Sequence, residues 1–365
     1  MIRTRAETFG AWVRVDDRTL LAVDRPMARR FGVDGGARWT EPAPASIADQ
    51  TERPLEVHVA VTSKCPASCS GCYLDARVDG QHRTFDELAT ALDRVAEAGA
   101  FTVAFGGGEP MLHPDLPRLS EHARSVGLTP VVTTSGIGLS AERARALSAF
   151  AQVNVSHDGI DAYAEVRGFD GAGIADRAIK LLVDAGIPVG VNVVLTRTLL
   201  GTDGRGLLDL AHHVRALGAR EIQLLRYKPA GRAASLEYLM RRLSPEQVAL
   251  LPELVSALVP IVSVRIDCAL VPLLAFQRVE DLLALGVMGC EAGRALAAVD
   301  THGRTSPCSF LPGRDAPSAS RVPTAEPCAS CPVRTVCRGG CRVVSEHIGG
   351  GAHLPDPECP RVRAR

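Results

Sequence analysis

The 365-residue sequence lacks a surplus of charge of either sign, because 41 lysine and arginine residues balance 41 aspartate and glutamate residues. A neutral chain creates no long-range field to attract DNA, RNA or an anionic lipid surface, so no nucleic-acid partner is expected. Hydrophobic residues make up 46% of the chain and charged residues 22%, which excludes a disordered or fibrous protein. This length corresponds to roughly two domains.

Long apolar runs are also missing. The most apolar stretch, residues 254–264, is interrupted by Pro260 and bounded by Glu253 and Arg265, so it is too short to cross a bilayer. The first residues mix arginine, glutamate and aspartate before any sustained apolar run, and they lack the core of a secretion signal. We therefore expect no membrane partner and a cytoplasmic location.

Cysteine, in contrast, is abundant and unevenly distributed. Three of the eleven cysteines lie within residues 65–72 and the other eight lie after residue 267. The cytoplasm keeps thiols reduced, so disulfides are not expected and the clusters indicate metal ligands. The eleven candidate metal ligands are Cys65, Cys69, Cys72, Cys268, Cys290, Cys308, Cys328, Cys331, Cys337, Cys341 and Cys359.

One unit repeats six times between residues 55 and 260: a β-branched run, a polar or Gly-rich turn and a stretch with helical apolar spacing. The predicted strands are Leu55–Val61, Phe101–Phe105, Pro130–Thr133, Gln152–Ser156, Val189–Leu195 and Glu221–Leu225. Continuously apolar strands joined by helices predict a parallel sheet with helices on its outer face. The segment is too short for eight units, so the expected fold class is α/β, a six-stranded partial TIM-like barrel.

Two further regions flank this barrel, which we place at residues 55–264. Residues 1–54 form an N-terminal extension with an expected hairpin at 12–15 and 20–23. Residues 265–365 are rich in Pro, Gly, Ser and Cys, which is typical of a loop-rich domain held by metal rather than by a large core.

The first three cysteines have the spacing Cys65-x3-Cys69-x2-Cys72 and follow the first predicted strand. They are therefore expected at the C-terminal mouth of the barrel, where parallel β/α folds place their chemistry. Three thiolates in one loop suit a cubane iron–sulfur cluster whose fourth iron stays open. The alternative is a zinc site that takes His82 as its fourth ligand.

The spacing on this loop resembles the radical S-adenosylmethionine (SAM) superfamily, and the resemblance covers roughly residues 55–230. It implies that the open iron binds SAM and that an electron from the cluster cleaves SAM to a 5′-deoxyadenosyl radical. Residues 106–110, Gly-Gly-Gly-Glu-Pro, look like the GGEP loop of the family, in which glycines let the backbone approach a ligand. Gly71 departs from the pattern, because relatives usually carry an aromatic residue before the third cysteine. The aromatic residue here is Tyr73.

The resemblance also assigns residues to SAM. Ser156 and Asp158 match the position that hydrogen-bonds the ribose, Arg167 matches an arginine that pairs with the carboxylate, and a carboxylate such as Glu109 can accept a hydrogen bond from an ammonium group. Without this context, residues 156–159 would be a turn with a helix cap. The complete expected set is Tyr73, Gly107, Gly108, Glu109, Pro110, Asn154, Ser156, Asp158, Arg167 and Tyr227.

The later cysteines look like the SPASM domain of radical SAM peptide and protein modifiers, which carries two auxiliary four-iron clusters. The resemblance implies that Cys328, Cys331, Cys337 and Cys359 hold one cluster and that Cys290, Cys308 and Cys341 hold the other. Cys268 is the only cysteine left to complete the second set of four. It has two alternative roles, an inert buried thiol or a hydrogen-atom donor. The expected cofactors are SAM and three [4Fe-4S] clusters.

These resemblances imply a maturase of a ribosomally made peptide that installs a thioether, carbon–carbon or ether crosslink by oxidation. The alternatives are radical modification of a small-molecule biosynthetic intermediate and a non-catalytic electron-transfer protein. Sulfatase maturation is disfavoured, because those relatives use an aspartate as general base directly after the second SPASM cysteine, where this chain has Ser309. A serine hydroxyl needs an activating partner to accept a proton at neutral pH.

The expected partners are a peptide or small-molecule substrate and a flavodoxin- or ferredoxin-type reductant. Residues 1–50 are too short for the winged-helix leader-binding domain of some relatives, so a separate leader-peptide-binding protein or the barrel edge would present the peptide. Arg226, Tyr227 and Lys228, after the sixth strand, are expected either to line the substrate pocket or to form ion pairs. No residue is assigned as general base.

Overall fold

The computed structural model describes residues 2–44, 51, 53–314 and 322–364. Its strands are β1 Arg3–Ala6, β2 Gly10–Arg14, β3 Leu20–Asp24, β4 Glu56–Thr62, β5 Thr102–Gly107, β6 Thr129–Thr134, β7 Gln152–Ser156, β8 Val189–Leu195, β9 Glu221–Arg226, β10 Ser263–Ile266, β11 Leu296–Val299 and β12 Thr305–Ser306.

Most of the helices alternate with these strands. They are α1 Arg25–Arg30, α2 Phe85–Glu97, α3 Leu116–Ser125, α4 Ala141–Ala146, α5 Tyr163–Arg167, α6 Ala172–Asp184, α7 Arg197–Leu200, α8 Arg205–Ala216, α9 Leu236–Arg241, α10 Pro245–Leu258, α11 Val279–Ala284, α12 Arg334–Cys337, α13 Arg342–Gly349 and α14 Pro360–Arg363. Within the described ranges, no helix combines the length and the hydropathy needed to span a membrane.

The six predicted barrel strands correspond to β4–β9, which are parallel neighbours in one sheet. The predicted strand count is nevertheless wrong, because the sheet has nine strands in the order β10-β9-β8-β7-β6-β5-β4-β11-β12. β10 adds to β9, and β11 pairs in parallel with β4. The added strands have two to four residues and pair with strands distant in sequence, so local periodicity does not reveal them.

Alternation along the strands separates two layers. In β4, Val57, Val59 and Val61 are buried against the outer helices, while the even-numbered residues face the barrel interior. Helix α2 begins with a capping box between Thr84 and Glu87, and its Leu88 and Leu92 are fully buried in the same core. Burying each of these leucines contributes about 1.5–3 kcal/mol.

The N-terminal extension is more structured than its sequence indicates. β2 and β3 pair where the hairpin is predicted, and β1 adds a third antiparallel strand. Arginine side chains join this sheet to the N-terminal end of the barrel: Arg3 donates to the Gly127 carbonyl at 2.8 Å, and Arg5 donates to the Gly99 carbonyl at 2.8 Å. The sheet is therefore attached at the end opposite to the cysteine loop.

The C-terminal region supplies β11 and β12 to the barrel sheet and otherwise consists of short helices and turns. A buried ion pair connects it to the barrel: the Arg226 guanidinium, at the end of β9, donates to both Asp356 oxygens at 2.7 and 3.0 Å and to Glu358 at 2.8 Å. The segment before Cys359 is thereby fixed against β9.

Candidate active site

The structure gathers Cys65, Cys69 and Cys72 in the loop after β4. The Cys65 amide donates to the Arg77 carbonyl at 2.7 Å, and Arg232 donates to the carbonyls of Cys69 and Cys72, each at 3.0 Å. Burial, together with the nearby Glu109, Cys69 and Cys72, raises the pKa of the Cys65 thiol to about 11. Three mutually close thiols therefore occupy the C-terminal mouth of the barrel.

The Gly-rich loop after β5 pairs with the backbone of the cysteine loop. The Gly108 amide donates to the Thr62 carbonyl at 2.7 Å and the Glu109 amide to the Lys64 carbonyl at 2.8 Å. Gly107 has a φ of +118°, and a Cβ on Gly108 would lie 2.1 Å from the Lys64 carbonyl oxygen. Glycine is therefore required at these positions because two backbone segments approach each other closely. Pro110 follows as the first residue of a short 3-10 helix.

Glu109 is buried, and donors from its own chain already engage both carboxylate oxygens. Oε1 accepts from the Thr134 hydroxyl at 2.6 Å and the Met111 amide at 3.0 Å. Oε2 accepts from the Ser135 amide at 2.8 Å and from the Ser135 hydroxyl. Burial raises the pKa of Glu109, against the lowering effect of these hydrogen bonds. In this arrangement Glu109 orders the turn after β6, and an ammonium group would have to compete with those donors.

Asp158 and Arg167 form a pair beside the cysteine loop. Arg167 Nε lies 2.5 Å from Asp158 Oδ2, while Asp158 Oδ1 accepts from the Val194 amide at 2.8 Å. Burial raises the pKa of the Cys69 thiol, and the adjacent Arg167 guanidinium opposes that rise. Arg167 therefore links the end of β7 to Cys69, and Asp158 holds Arg167 in position.

Polar side chains line the barrel interior below this pair. Asn154 accepts from Gln152 at 2.8 Å, Asn192 donates to Thr133 at 3.3 Å, and Ser156 is buried at the end of β7. Strand alternation places all of them on the inner face, beneath the cysteine mouth. The interior can accordingly bind a polar molecule.

Two aromatic residues of the expected SAM set lie near the cysteine loop. Tyr73 packs on Phe310 with ring centroids 4.6 Å apart, and burial raises its pKa to about 12, with Cys72 and Cys308 nearby. Tyr73 therefore lies between the first cysteine group and the C-terminal cysteines. Tyr227 stacks on Tyr238 at 6.0 Å, with its ring edge towards Gly71.

The C-terminal cysteines form two groups of four. Burial raises the pKa values of Cys308 to about 12 and of Cys341 to about 11, and both thiols are close to Cys290. Cys268, which is partly exposed, lies close to Cys290 and Cys341, so it belongs to the same group. The second group contains Cys328, Cys331, Cys337 and Cys359. Its four thiols line one cavity, together with residues such as Pro272 and Arg361.

Arg226 and Lys228 both form ion pairs, one of the two expected outcomes, and Arg226 also lines a small cavity with Tyr227 and Leu270. Lys228 Nζ lies 2.5 Å from Asp267 Oδ2 and 4.5 Å from the Phe310 ring centroid. Burial alone would lower the pKa of Lys228, but the nearby Asp267, Cys341 and Cys268 outweigh this effect. The pKa of Lys228 is therefore raised and the amine stays protonated. A fixed positive charge therefore lies beside the Cys268 group.

The sequence pattern did not predict a hydrogen-bonded series of three polar side chains in the barrel interior. The Ser309 hydroxyl lies 2.9 Å from His58 Nδ1, and His58 Nε2 lies 2.8 Å from Glu56 Oε1. A carboxylate only accepts, so Nε2 carries the proton and Nδ1 accepts from the serine. The available signal was the pair of polar residues, Glu56 and His58, at alternate positions of an otherwise apolar strand.

Comparison with known proteins agrees with this arrangement. Residues 59–214 match the family model of the radical SAM superfamily. The PqqA peptide cyclase of Streptomyces rochei is 30% identical over 340 residues, covering 84% of this chain and 89% of that protein. The mycofactocin maturase MftC of Mycobacterium tuberculosis H37Rv is 27% identical over 351 residues, covering 88% and 87%.

Solved structures show the same fold. Streptococcus suis SuiB bound to its precursor peptide SuiA superposes with a TM-score of 0.72 and 14% identity, covering 98% of both chains. The enzyme anSMEcpe with bound AdoMet gives a TM-score of 0.63 and 18% identity, covering 85% of this chain. On the family match and the 30% identical relative, the chain belongs to the radical SAM superfamily.

Proposed function

We propose that this chain is a radical SAM maturase that modifies a ribosomally made peptide oxidatively, using SAM and three [4Fe-4S] clusters. The observation that carries the proposal is the combination of three thiols at the barrel mouth with two further groups of four thiols. A peptide cyclase among the relatives favours a peptide as the substrate class.

The residues present fit the cofactors. Cys65, Cys69 and Cys72 would hold one cluster and leave an iron open for SAM. Arg167, beside the Cys69 thiol, is positioned to pair with a carboxylate. The Tyr227 hydroxyl next to this loop is buried and has no hydrogen-bond partner among the described residues, as expected for a group that faces a ligand. When bound, the cluster and SAM supply a radical that takes a hydrogen atom from the substrate.

The neighbouring side chains prepare the site for this chemistry. Asp158 and the Val194 amide fix the orientation of Arg167, and Glu109 fixes the turn at 134–136 under the mouth. The rings of Tyr73 and Phe310, packed at an interplanar angle of 34°, occupy the space between the first and the later cysteines, which limits the entry of water there.

The later groups would hold two auxiliary clusters, each with four thiolates. Cys268 completes the group of Cys290, Cys308 and Cys341, and its contacts with two of them support a ligand role over an isolated inert thiol. The cationic side chains of Lys228 and Arg226 offset part of the negative charge that such a cluster carries. Electrons released from an oxidised substrate would thus have acceptors within the chain.

Ser309, His58 and Glu56 supply a proton acceptor in the barrel interior. A substrate proton passes to the Ser309 oxygen while the serine proton moves to His58 Nδ1, and Glu56 stabilises the resulting imidazolium. His58 is the activating partner without which Ser309 could not take the place of an aspartate.

Iron analysis and SAM cleavage test the proposal. The anaerobically reconstituted protein should contain about twelve irons, and the variant Cys65→Ala/Cys69→Ala/Cys72→Ala about eight, all in cubane clusters by Mössbauer spectroscopy. With dithionite, only the wild type should form 5′-deoxyadenosine. About four irons in the wild type would contradict the two auxiliary clusters.

The substrate class needs a separate measurement. Deuterated synthetic PqqA and SuiA peptides serve as probes, and transfer of deuterium into 5′-deoxyadenosine would support a peptide substrate. SAM cleavage that stays independent of every peptide, but that a small metabolite stimulates with deuterium transfer, would instead establish small-molecule chemistry.

A further inference from the structure

His157, Asp176 and His213 form a cluster outside the cysteine sites. His157 directly follows β7, Asp176 lies in α6 and His213 lies in α8, so three separate elements converge. Nε2 of His157 lies 3.1 Å from Asp176 Oδ1, and Nε2 of His213 lies 2.9 Å from the same oxygen. The three donor atoms lie within 4.8 Å of one another.

We propose that this cluster is a binding site for a divalent transition-metal ion, with Zn²⁺ as the ion to which its ligands are best suited. Two imidazole nitrogens and one carboxylate oxygen, completed by water, are a common zinc ligand set. At ordinary zinc–ligand distances, two ligands of a tetrahedral ion are about 3.4 Å apart. The two His–Asp distances, 3.1 and 2.9 Å, are a few tenths of an ångström shorter, and all three donor atoms lie within 4.8 Å, so side-chain adjustments can bring them to such distances.

Burial and access agree with this assignment. The His157 side chain is fully buried, whereas Asp176 is 27% and His213 is 32% exposed, so an ion and a water ligand can reach the open side. Nε2 is the nitrogen of His157 that faces Asp176, on the side where His213 also lies.

The position of the site indicates its purpose. His157 lies between Ser156 and Asp158, the residues expected to contact SAM, and its side chain contacts the outer helices. An ion shared by the end of β7, α6 and α8 would hold this end of the strand from behind. The metal is therefore structural, and it takes no part in the proposed reaction.

Zinc binding to the iron-loaded protein tests the inference. The wild type should bind one Zn²⁺ per chain without releasing iron, and His213→Gln should bind it at least about 100-fold more weakly. The matched control is His212→Gln, which removes an exposed histidine from the same helix and should bind like the wild type. Zn²⁺ should raise the melting temperature of the wild type and the control, but not that of His213→Gln.

The absorption spectrum of bound Co²⁺ distinguishes this site from the cysteine groups. Co²⁺ bound here should give ligand-field absorption without thiolate charge-transfer bands, and Asp176→Asn should abolish that absorption. Equal Zn²⁺ affinity in His213→Gln and the wild type, or no Zn²⁺ bound by the wild type, would overturn the proposal and leave a hydrogen-bonded cluster only. Neither readout depends on SAM cleavage, so the test is independent of the proposed function.

Discussion

The ring of Tyr227 occupies the space that a side chain on Gly71 would fill. A Cβ on Gly71 would lie 2.8 Å from both Cε2 and Oη of Tyr227. The ring has little freedom to move aside, because it is 5% exposed and stacked on Tyr238. The residue after β9 thus places an aromatic ring where a side chain at position 71 would project.

Gly71→Ala should therefore destabilise the cysteine loop. The added methyl group forces the loop or the tyrosine to shift, at a cost of about 1–3 kcal/mol, and the reconstituted variant should contain fewer than twelve irons. Gly173→Ala is the matched control, since a Cβ there meets no atom within 4 Å. Adding Tyr227→Ala to Gly71→Ala should restore the iron content. Failure of this rescue would mean that the tyrosine is not the obstacle.

Arg226→Met should weaken the attachment of the C-terminal region to the barrel. The substitution leaves the buried Asp356 carboxylate without a cation, whereas Glu358 keeps its ion pair with Arg242. Breaking a buried pair in this way costs about 3–5 kcal/mol, or roughly 4–7 °C in melting temperature. Anaerobic calorimetry at one scan rate measures the change.

Arg265→Met provides the comparison. Its guanidinium is 55% exposed and lies 3.5 Å from Glu221, so its loss should cost no more than about 1 kcal/mol. Equal losses in the two variants would contradict the structural role of the buried pair.

The barrel strands could be predicted because each is a local apolar run between turn residues. β7 and β8 agree with the predicted bounds at both ends, and a local capping box at Thr84 starts α2. β1 was missed because its sequence, Arg-Thr-Arg-Ala, is polar. Its arginines are satisfied by carbonyl groups more than ninety residues away, which no local pattern records.

The candidate site also has features that a local sequence pattern predicts and features that depend on contacts between distant residues. The spacing of Cys65, Cys69 and Cys72 is a local signal, and the structure brings these three residues together. The division of the later cysteines follows from the resemblance and not from their spacing, because Cys337 and Cys341 are four residues apart yet lie in different groups. The pairing of Ser309 with His58 joins positions 251 residues apart, and β11 brings this region beside β4. Such contacts depend on the order of strands across the sheet, which the sequence pattern alone does not determine.

His113 should make the stability of the protein fall as the medium becomes acidic. The ring is buried, its Nε2 lies 2.8 Å from the Arg83 carbonyl, and its Nδ1 accepts from the Asp115 amide. Burial lowers the pKa of His113, so below the unfolded value of about 6.5 the unfolded chain binds a proton that the native protein does not. This contribution is complete above that pH and is lost progressively below it.

The difference in melting temperature between the wild type and His113→Gln should therefore be larger at pH 7 than at pH 5. The exposed His302 serves as the control, and His302→Gln should keep the pH dependence of the wild type. A constant difference between wild type and His113→Gln across this range would exclude the effect.

His58→Gln should separate the start of the reaction from its completion. Among the described residues, no hydrogen bond or ion pair joins His58 to the cysteine loop or to Arg167, so 5′-deoxyadenosine formation should stay within about twofold of the wild type. The proton acceptor is lost, however, and general-base catalysis contributes about 10²–10⁴-fold. Modified peptide per 5′-deoxyadenosine should fall by a factor in that range, measured by mass spectrometry on whichever probe peptide transfers deuterium.

Two further variants distinguish proton transfer from simple packing. Ser309→Ala should reduce the same ratio, because it breaks the connection to His58 Nδ1. Ser309→Asp should restore activity to His58→Gln, because a carboxylate accepts a proton without an activating imidazole. If His58→Gln lowers 5′-deoxyadenosine and product equally and Ser309→Asp restores neither, His58 supports the shape of the barrel interior and the proton moves elsewhere.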